Sequence, residues 1–351
     1  MPAETDTMRS STTYGEAIRS GFGWLMHNYP EVFTIGQGLW SPWYVGNSMT
    51  DLDKEFGKHR VLDTPVSEAA CTGAAIGAAL CGYRPIVIHP RIDFMLLAVD
   101  QIVNQAAKWT HMLGGKSSPA VTIRGIVNRG GEQGAQHSQA LHSWFAHIPG
   151  LRVVMPATVA DARDLLIASV LCNDPVLYID DRWLYELEDT LPPPRPIDLR
   201  TLRPQRRLEG NDVTVVGASH SAHLGLEAGR ALRAEGISCD VWDLRVLNPL
   251  EVTEIAASVE RTGRLVAVDG SWQTCGLAGE IIARVSESIS PRAWRSKPIR
   301  ITLPDAPAPT SAPLEKLYYP SVATVVARIR SSVAGGDAAA APPNQSETLA
   351  L

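Results

Sequence analysis

Residues 61–82 of the chain, VLDTPVSEAACTGAAIGAALCG, predict a strand that runs directly into a helix. Val61 and Leu62 are typical of the end of a buried strand, Pro65 fixes a turn, and Ser67 is a favourable N-cap. The helix consists mostly of alanine and glycine, so another group can approach its backbone closely. Strand and helix units of this kind build parallel α/β sheets.

Glu68 is the only charged residue in this predicted helix, and it stands in the first turn. The positive end of the helix dipole favours a carboxylate there by a few tenths to about 1 kcal/mol, which is enough to explain the residue without a function. A single carboxylate at the mouth of an apolar helix also suits a working group in a cleft. These residues alone leave both interpretations open.

Helix and strand patterns alternate along the rest of the chain, which is typical of parallel α/β domains. Helices are predicted over residues 14–28, 93–108, 160–172 and 222–235, and strands over residues 32–39, 61–62, 120–124, 151–155, 176–179, 212–216, 239–243, 265–269 and 299–303. The stretch LPPPRPIDLRTLRP is typical of a linker. We therefore expect a flexible N-terminus (1–12), a first α/β domain (13–190), a linker (191–210), a second, smaller α/β domain (211–330) and a disordered tail (331–351).

The composition excludes several classes of protein. The 351 residues are 45% hydrophobic and 20% charged, enough for two domains with complete cores. A net charge of −5 and the absence of a basic run argue against a nucleic-acid-binding protein. No stretch stays apolar for the roughly 18 residues of a membrane helix, and the N-terminal residues resemble neither a signal nor a transit peptide. Five scattered cysteines predict a reduced, cytoplasmic protein.

Four further blocks complete the pattern of the first domain. They are RPIVIHPRIDF at residues 84–94, DQIVNQAAKW at 100–109, the segment from GAQHSQ to VVMP at 134–156, and DPVLYIDDRWLY at 174–185. With residues 61–82, they resemble the beta subunit of the thiamine-diphosphate-dependent, decarboxylating component of 2-oxo acid dehydrogenase complexes and, more loosely, the C-terminal two thirds of transketolase. The resemblance implies a pyrimidine-binding domain followed by a transketolase C-terminal domain.

The resemblance also implies roles for matching residues. Glu68 corresponds to the glutamate that hydrogen-bonds the aminopyrimidine ring of thiamine diphosphate, where a carboxyl shares a proton with a ring nitrogen and so activates the cofactor. His137, in GAQHSQ, corresponds to the histidine at the substrate end of the cleft, and Gln136 beside it belongs to the expected substrate site. Imidazole can give or take a proton near neutral pH. The alternative is a loop histidine that only fixes the turn after Gly134.

The block at residues 84–94 departs from the family pattern. Dehydrogenase subunits usually carry an acidic residue where this chain has Ile88, and an aromatic residue that stacks on the aminopyrimidine where it has Arg91, so we expect both positions to line the cofactor. A guanidinium can lie flat on a ring but brings a fixed charge. Arg91, together with His89, is therefore also a candidate for binding an anionic substrate. As an alternative, His89 and Arg91 form a surface pair at a strand end.

A missing motif bears on the partners. Thiamine diphosphate is normally held through Mg²⁺ by a GDG motif and a later asparagine, because a diphosphate needs a hard cation with oxygen ligands, and no GDG occurs in this sequence. The resemblance implies that an alpha subunit supplies this motif and the Mg²⁺, that the active site forms between chains of an α2β2 assembly, and that a lipoyl acyltransferase can be a further partner. Candidates for the interface, with core packing as the default for each, are Trp40, Trp43, Trp109, Trp144 and Trp183.

Three classes of function remain open at this point. The first is an enzyme subunit that, with its alpha partner, acts on a 2-oxo acid or a ketose, either in a dehydrogenase complex or as a split transketolase-like carboligase of a sugar or natural-product pathway. The second is a non-catalytic regulatory or binding subunit of the same fold, against which the retention of Glu68 and His137 counts. The third is an unrelated α/β protein. The sequence favours the enzyme.

Overall fold

A computed structural model describes residues 11–195 and 197–334. The strands are β1 (Ser11–Thr13), β2 (Val32–Gly36), β3 (Val61–Asp63), β4 (Arg84–His89), β5 (Thr122–Val127), β6 (Arg152–Val154), β7 (Val176–Asp181), β8 (Glu188–Thr190), β9 (Gln205–Leu208), β10 (Val213–Gly217), β11 (Cys239–Asp243), β12 (Val246–Asn248), β13 (Leu265–Trp272) and β14 (Ile299–Leu303). The α-helices are α1 (Tyr14–Asn28), α2 (Leu52–Phe56), α3 (Glu68–Leu80), α4 (Ala107–Met112), α5 (His142–Ala146), α6 (Val159–Leu171), α7 (His220–Arg233), α8 (Thr253–Thr262), α9 (Leu277–Ser288), α10 (Ala312–Tyr318) and α11 (Val322–Val333). In this described part of the chain, no helix combines the length and the apolarity that crossing a membrane requires.

Two mostly parallel sheets organise the chain. The first has seven strands in the order β12–β6–β7–β5–β4–β2–β3, and the second has five in the order β14–β13–β10–β11–β9. Neighbouring strands are parallel except for β12 against β6 and β9 against β11. The central strands β5 and β7 are buried along their whole length, as expected when helices cover both faces of a sheet. The predicted fold class, two parallel-sheet α/β domains, is confirmed.

The apolar core runs without a break from one domain into the other. On one face of the first sheet, α1 packs against α6. The cluster on the opposite face joins Val87 and Ile123 of the first sheet to Val216 and Leu265 of the second sheet, and it includes Ile255 of α8. The two domains therefore bury apolar surface against each other and are held in a fixed relation by it.

A buried ion pair joins β5 to β7 in the middle of the first sheet. The guanidinium of Arg124 donates to both carboxylate oxygens of Asp180 at 2.8 Å, and neither side chain is exposed to solvent. Tyr185 donates its hydroxyl to Asp180 at 2.6 Å, and Ser48 accepts from Arg124 at 2.9 Å. Burial alone would lower the pKa of Arg124, but the adjacent Asp180 carboxylate raises it above its usual value. The pair therefore stays charged inside the core.

Most predicted elements lie within a few residues of their expected bounds, and α1, β11 and β14 match them fully. The helix α3 begins directly after Ser67, as predicted, but the Ser67 side chain makes no capping hydrogen bond. The helix predicted over residues 93–108 is helical but irregular. It consists of a 3₁₀ turn at Phe94–Ala98, a π-helix at Gln101–Ala106 and then α4.

Several domain boundaries differ from the predicted ones. β1 pairs antiparallel with β8, so residues 11 and 12 are a strand rather than part of a flexible N-terminus. β9 occupies the end of the predicted linker and forms the edge of the second sheet, and α11 continues past the predicted domain end to Val333. The predicted flexibility of residues 1–10 and 335–351 lies outside the described residues.

The strand β12 crosses the domain boundary. It follows the linker in sequence, yet it pairs antiparallel with β6 at the edge of the first sheet. Its residue Val246 is buried in the core of the first domain. A strand of three residues that closes a distant sheet leaves almost no periodic pattern, which is why the sequence did not predict it.

Replacing Arg124 by methionine is expected to lower the free energy of unfolding by about 3–5 kcal/mol, because Asp180 is then left charged in the core without its partner. The double variant Arg124→Met/Asp180→Leu should recover most of this loss, since it removes both charges. Urea unfolding followed by tryptophan fluorescence measures both variants. A single variant as stable as the unmodified chain would show that the ion pair is not a structural requirement.

Candidate functional site

A pocket opens at the carboxyl ends of β2, β3 and β4, the edge of a parallel sheet where ligands bind in α/β proteins. The cavity inside it is small, about 10 Å³, which is room for about one water molecule. Its walls are the end of β2 with the following Gln37, the connection between β3 and the first turn of α3, and the last residues of β4 up to Pro90. The residues that follow three neighbouring parallel strands thus lie together around this pocket.

Glu68 is the first residue of α3 and lines this pocket. It is only 8% exposed, and within the described residues no group hydrogen-bonds to its carboxylate. Its two carboxylate oxygens are not enclosed by the protein and face the open space of the pocket. The positive end of the α3 dipole supports the negative charge. This unpaired carboxylate is therefore free to accept from a ligand with a hydrogen-bond donor.

Gln37 places a second unpaired acceptor in the same pocket. Its side-chain nitrogen donates to the Tyr44 hydroxyl at 3.1 Å, and its side-chain oxygen is buried without a partner. The Tyr44 ring lies so close to Gly38 that a Cβ there would be 2.2 Å from it. Two free acceptors, Glu68 and Gln37, suit an aminopyrimidine ring, which offers an amino group and a ring nitrogen. On this donor and acceptor chemistry the described residues fit the pyrimidine end of thiamine diphosphate.

His89 and Ile88, both predicted site residues, line the pocket from the end of β4. His89 is buried, and its Nε2 lies 3.2 Å from the Thr72 hydroxyl on α3. Burial lowers the pKa of His89 to about 4, so the ring is neutral near pH 7. The alternative of an exposed pair of His89 with Arg91 is therefore wrong. Ile88 is 2% exposed and packs into the core, so it adds an apolar wall to the pocket.

Arg91 connects the end of β4 to the loop that carries His137. Its guanidinium donates to the backbone oxygen of Asn128 at 3.1 Å and to that of His137 at 2.9 Å. It also donates to the side-chain oxygen of Gln133. The loop of residues 128–137 is thus attached along its length to the strand that lines the pocket.

The turn at the end of this loop presents His137. Gly134 enters the 3₁₀ turn Ala135–His137 with φ of +71°, a conformation that favours glycine. The His137 ring meets the Phe94 ring edge to face, with the ring centroids 5.2 Å apart. Gln136, next to it, is exposed. The pocket therefore brings Glu68 together with the end of β4, whereas His137 and Gln136 lie on the adjoining loop.

The second domain holds the other side of the same loop. The Glu132 amide donates to both carboxylate oxygens of Glu315 at 3.0 Å, and the Glu132 carboxylate in turn accepts from the Ala312 amide at 2.9 Å. Arg129 donates to the backbone oxygen of Gly270 at 2.7 Å. Each domain therefore supplies contacts that fix the loop, and its position depends on how the domains dock.

Other residues of this region were not predicted from the sequence. Gln37 follows a buried strand within GQG, and a polar residue directly after such a strand is a signal that could have been used. Cys71 also lines the pocket and its sulfur lies 3.3 Å from the Thr64 hydroxyl. Asp93 accepts from the Gln139 amide at 3.0 Å, and burial raises the pKa of its carboxyl. No local pattern marks these two residues, since their partners come from other elements.

Comparison with known proteins agrees with the fold. The transketolase pyrimidine-binding domain matches residues 10–186, and the transketolase C-terminal domain matches residues 202–325. The beta subunit of acetoin:2,6-dichlorophenolindophenol oxidoreductase from Cupriavidus necator is 40% identical over 335 residues, which cover 91% of this chain and 97% of that protein. The pyruvate dehydrogenase E1 component beta subunit of Rhizobium meliloti is 34% identical over 332 residues, 94% of this chain and 71% of that protein.

Among solved structures, a split-gene transketolase described as an inactive β4 tetramer superimposes with a TM-score of 0.75. It is 20% identical, and the match covers 93% of this chain and all of that one, so the likeness concerns the fold. The resemblance inferred from the sequence blocks is confirmed by these matches. An unrelated α/β protein, the third alternative, is excluded.

The buried His89 should make stability depend on pH. The pKa of His89 is about 4 in the folded chain and returns to about 6.5 when unfolding exposes the ring. Between these two pH values the unfolded chain binds a proton at His89 that the folded chain does not bind, so acid favours unfolding. We expect His89 to remove about 2 kcal/mol of stability between about pH 7 and pH 5. Urea unfolding at both pH values should therefore show a smaller loss in His89→Asn. The exposed His111, changed to Asn, is the control, and equal losses in all three proteins would contradict this account.

Proposed function

The chain belongs to the family that carries the transketolase pyrimidine-binding and C-terminal domains, and on this premise we propose that it is the beta subunit of a two-subunit, thiamine-diphosphate-dependent enzyme. With an alpha partner, the enzyme cleaves or forms a carbon–carbon bond next to a carbonyl group. Its substrate is a 2-oxo acid, a hydroxyketone or a ketose. The observation that carries the proposal is the carboxylate of Glu68, which lines the pocket at the start of α3 and has no hydrogen-bond partner among the described residues.

When bound, thiamine diphosphate supplies the nucleophilic carbon that attacks the substrate carbonyl and takes up the electrons of the bond that breaks. Glu68 would share a proton with a ring nitrogen of the pyrimidine, and the oxygen of Gln37, which has no partner among the described residues, would accept a hydrogen bond from the same ring. The apolar side chain of Ile88 and the neutral ring of His89 add no charge to this end of the site.

His137 is proposed to hold or move a proton at the substrate. Its ring is half-buried against Phe94 and stands on a loop fixed from two sides. Gln136 is exposed on the same turn, and we propose that it contacts the substrate or the partner subunit. Imidazole is suited to proton transfer near neutral pH, which both decarboxylation and acyl or ketol transfer require.

The partner is proposed to supply the other half of the cofactor site. The sequence contains no GDG motif, so the diphosphate and Mg²⁺ are assigned to an alpha subunit in an α2β2 assembly. Trp40 and Trp43 are 41% and 72% exposed, and they stand on the loop whose Tyr44 accepts a hydrogen bond from Gln37 of the pocket. Exposed indole rings beside an incomplete site suit a protein interface. Both relatives described above are named as beta subunits, and the matching β4 tetramer is described as inactive.

The proposal extends to the acceptor of the transferred fragment and to the cellular location of the enzyme. Membership in a dehydrogenase complex would add a lipoyl acyltransferase as a partner, whereas a split transketolase-like enzyme would transfer the fragment to a sugar or another aldehyde. All five cysteines are unpaired, which suits a reducing, cytoplasmic location. Assays of the assembled enzyme with a panel of 2-oxo acids and acetoin, each with lipoyl, dye and aldehyde acceptors, distinguish these routes.

Glu68→Gln is expected to lower the turnover number of the assembled enzyme by more than about tenfold, a loss above roughly 1.4 kcal/mol, without preventing assembly. The amide cannot share a proton with the ring nitrogen, although its shape is nearly the same. Glu16 is the matched control, because it also stands in a first helical turn, where it caps α1, and glutamine can cap as well. Retention of more than a tenth of the activity in Glu68→Gln would mean that Glu68 only stabilises the helix and would favour a non-catalytic subunit.

The isolated chain is expected to bind thiamine diphosphate only weakly and to show no turnover, because it contains only the pyrimidine half of the site. Titration calorimetry with cofactor and Mg²⁺, first on this chain and then on its complex with the alpha subunit, measures the difference. Tight, stoichiometric binding to the chain alone would overturn the shared site.

A further inference from the structure

We infer that Arg91 is a positioning residue that fixes the loop of His137, rather than a group that binds the cofactor or the substrate. This inference rests on the proposed function, because it assigns His137 to the reaction. It also deepens that function, since it adds a residue on which the placement of the proton-transferring group depends. Nothing in the amino-acid pattern around Arg91 predicts this role.

Most donors of the Arg91 guanidinium are directed at the loop. One terminal nitrogen donates to the backbone oxygens of Asn128 and His137, and the other donates to the side chain of Gln133. Arginine is suited to such a task because its planar fork presents several donors in fixed directions. Of its five N–H groups, the one on Nε and one on the nitrogen that bonds Gln133 have no partner among the described contacts.

The contacts of Arg91 reach the two ends of the loop. Asn128 lies just after β5, and His137 ends the 3₁₀ turn, so one side chain sets the distance between them. Phe94, which supports the His137 ring, is three residues beyond Arg91 on the same connection. Both the backbone and the ring of His137 are therefore placed by the segment of residues 91–94.

The charges around Arg91 agree with a structural role. Burial lowers its pKa and Arg182 nearby lowers it further, whereas Asp93 raises it. Among the described residues, the hydrogen bonds of Arg182 are two long ones, at 3.3 and 3.4 Å, to the backbone oxygens of Trp43 and Tyr44. Of these two arginines, Arg182 is thus less firmly engaged and has more donors free for an anion. The well-directed bonds of Arg91 all go to the loop.

The test combines hydrogen exchange with kinetics in the assembled enzyme. Arg91→Met removes the donors and keeps the length of the side chain, and Arg91→Lys keeps the charge without the fork. The matched control is Arg84→Met, at the other end of β4, because Arg84 also bonds backbone oxygens, those of Val170 and Cys172. Amide exchange is followed by mass spectrometry, and turnover is measured with one 2-oxo acid and with acetoin as the neutral substrate.

We expect Arg91→Met to speed amide exchange in residues 128–137 by at least about tenfold. Turnover should fall by at least about tenfold for both substrates, with KM changed less than about twofold, because the loss affects the placement of His137 and not substrate binding. Arg91→Lys should recover only part of either effect. Arg84→Met should speed exchange near residues 170–173 and leave the loop and the turnover unchanged.

Two results would overturn the inference. One is unchanged exchange of the loop in Arg91→Met, or in Arg91→Lys if the methionine variant does not fold. The other is a rise of KM for the 2-oxo acid alone that lysine restores, which would make Arg91 a substrate anchor. Amide exchange does not require turnover, so it tests the role of Arg91 even if no substrate is converted. Absence of cofactor-dependent activity in the unmodified enzyme would instead count against the proposed function.

Discussion

The guanidinium of Arg129 connects the ends of the central strands to the second domain. The position of the loop beside the pocket depends on this connection. The guanidinium donates to Asp181 at 2.6 Å and to the backbone oxygen of Gly270 at 2.7 Å, and it lies 4.5 Å from the Trp183 ring. Both charged side chains of this pair are buried, so each is stabilised mainly by the other. Arg129 lies at the start of the loop that carries His137, so this contact between the domains also fixes where that loop begins.

The pocket itself is electrostatically simple. Glu68 brings the one carboxylate, His89 is kept neutral by burial, and Ile88 adds no charge. The nearby guanidinium of Arg91 is engaged by backbone oxygens, which are dipoles and do not neutralise it. A ligand therefore meets a hydrogen-bond acceptor where it faces α3.

The fold could be predicted from the sequence because its determinants are local. Strand and helix patterns of a parallel α/β protein repeat within short windows, and β11 and β14 lie where they were predicted. Glu68 could be singled out for the same reason, since its strand, turn and helix are contiguous. The partners of Arg91 could not, because Asn128 and His137 are 37 and 46 residues away in the chain. The contact between Glu132 and Glu315 spans 183 residues and both domains, and no sequence pattern encodes it.

The strand β12 also limits how the chain can be divided. It belongs to the second half by sequence, but it completes the first sheet against β6 and contributes Val246 to that core. A fragment ending in the proline-rich linker would expose the backbone groups of β6 along an open edge, and such edges invite pairing between molecules. The two domains are therefore not interchangeable modules. In a chimera whose second domain comes from a relative, the β12 of that relative has to pair with β6 of this chain in the same register.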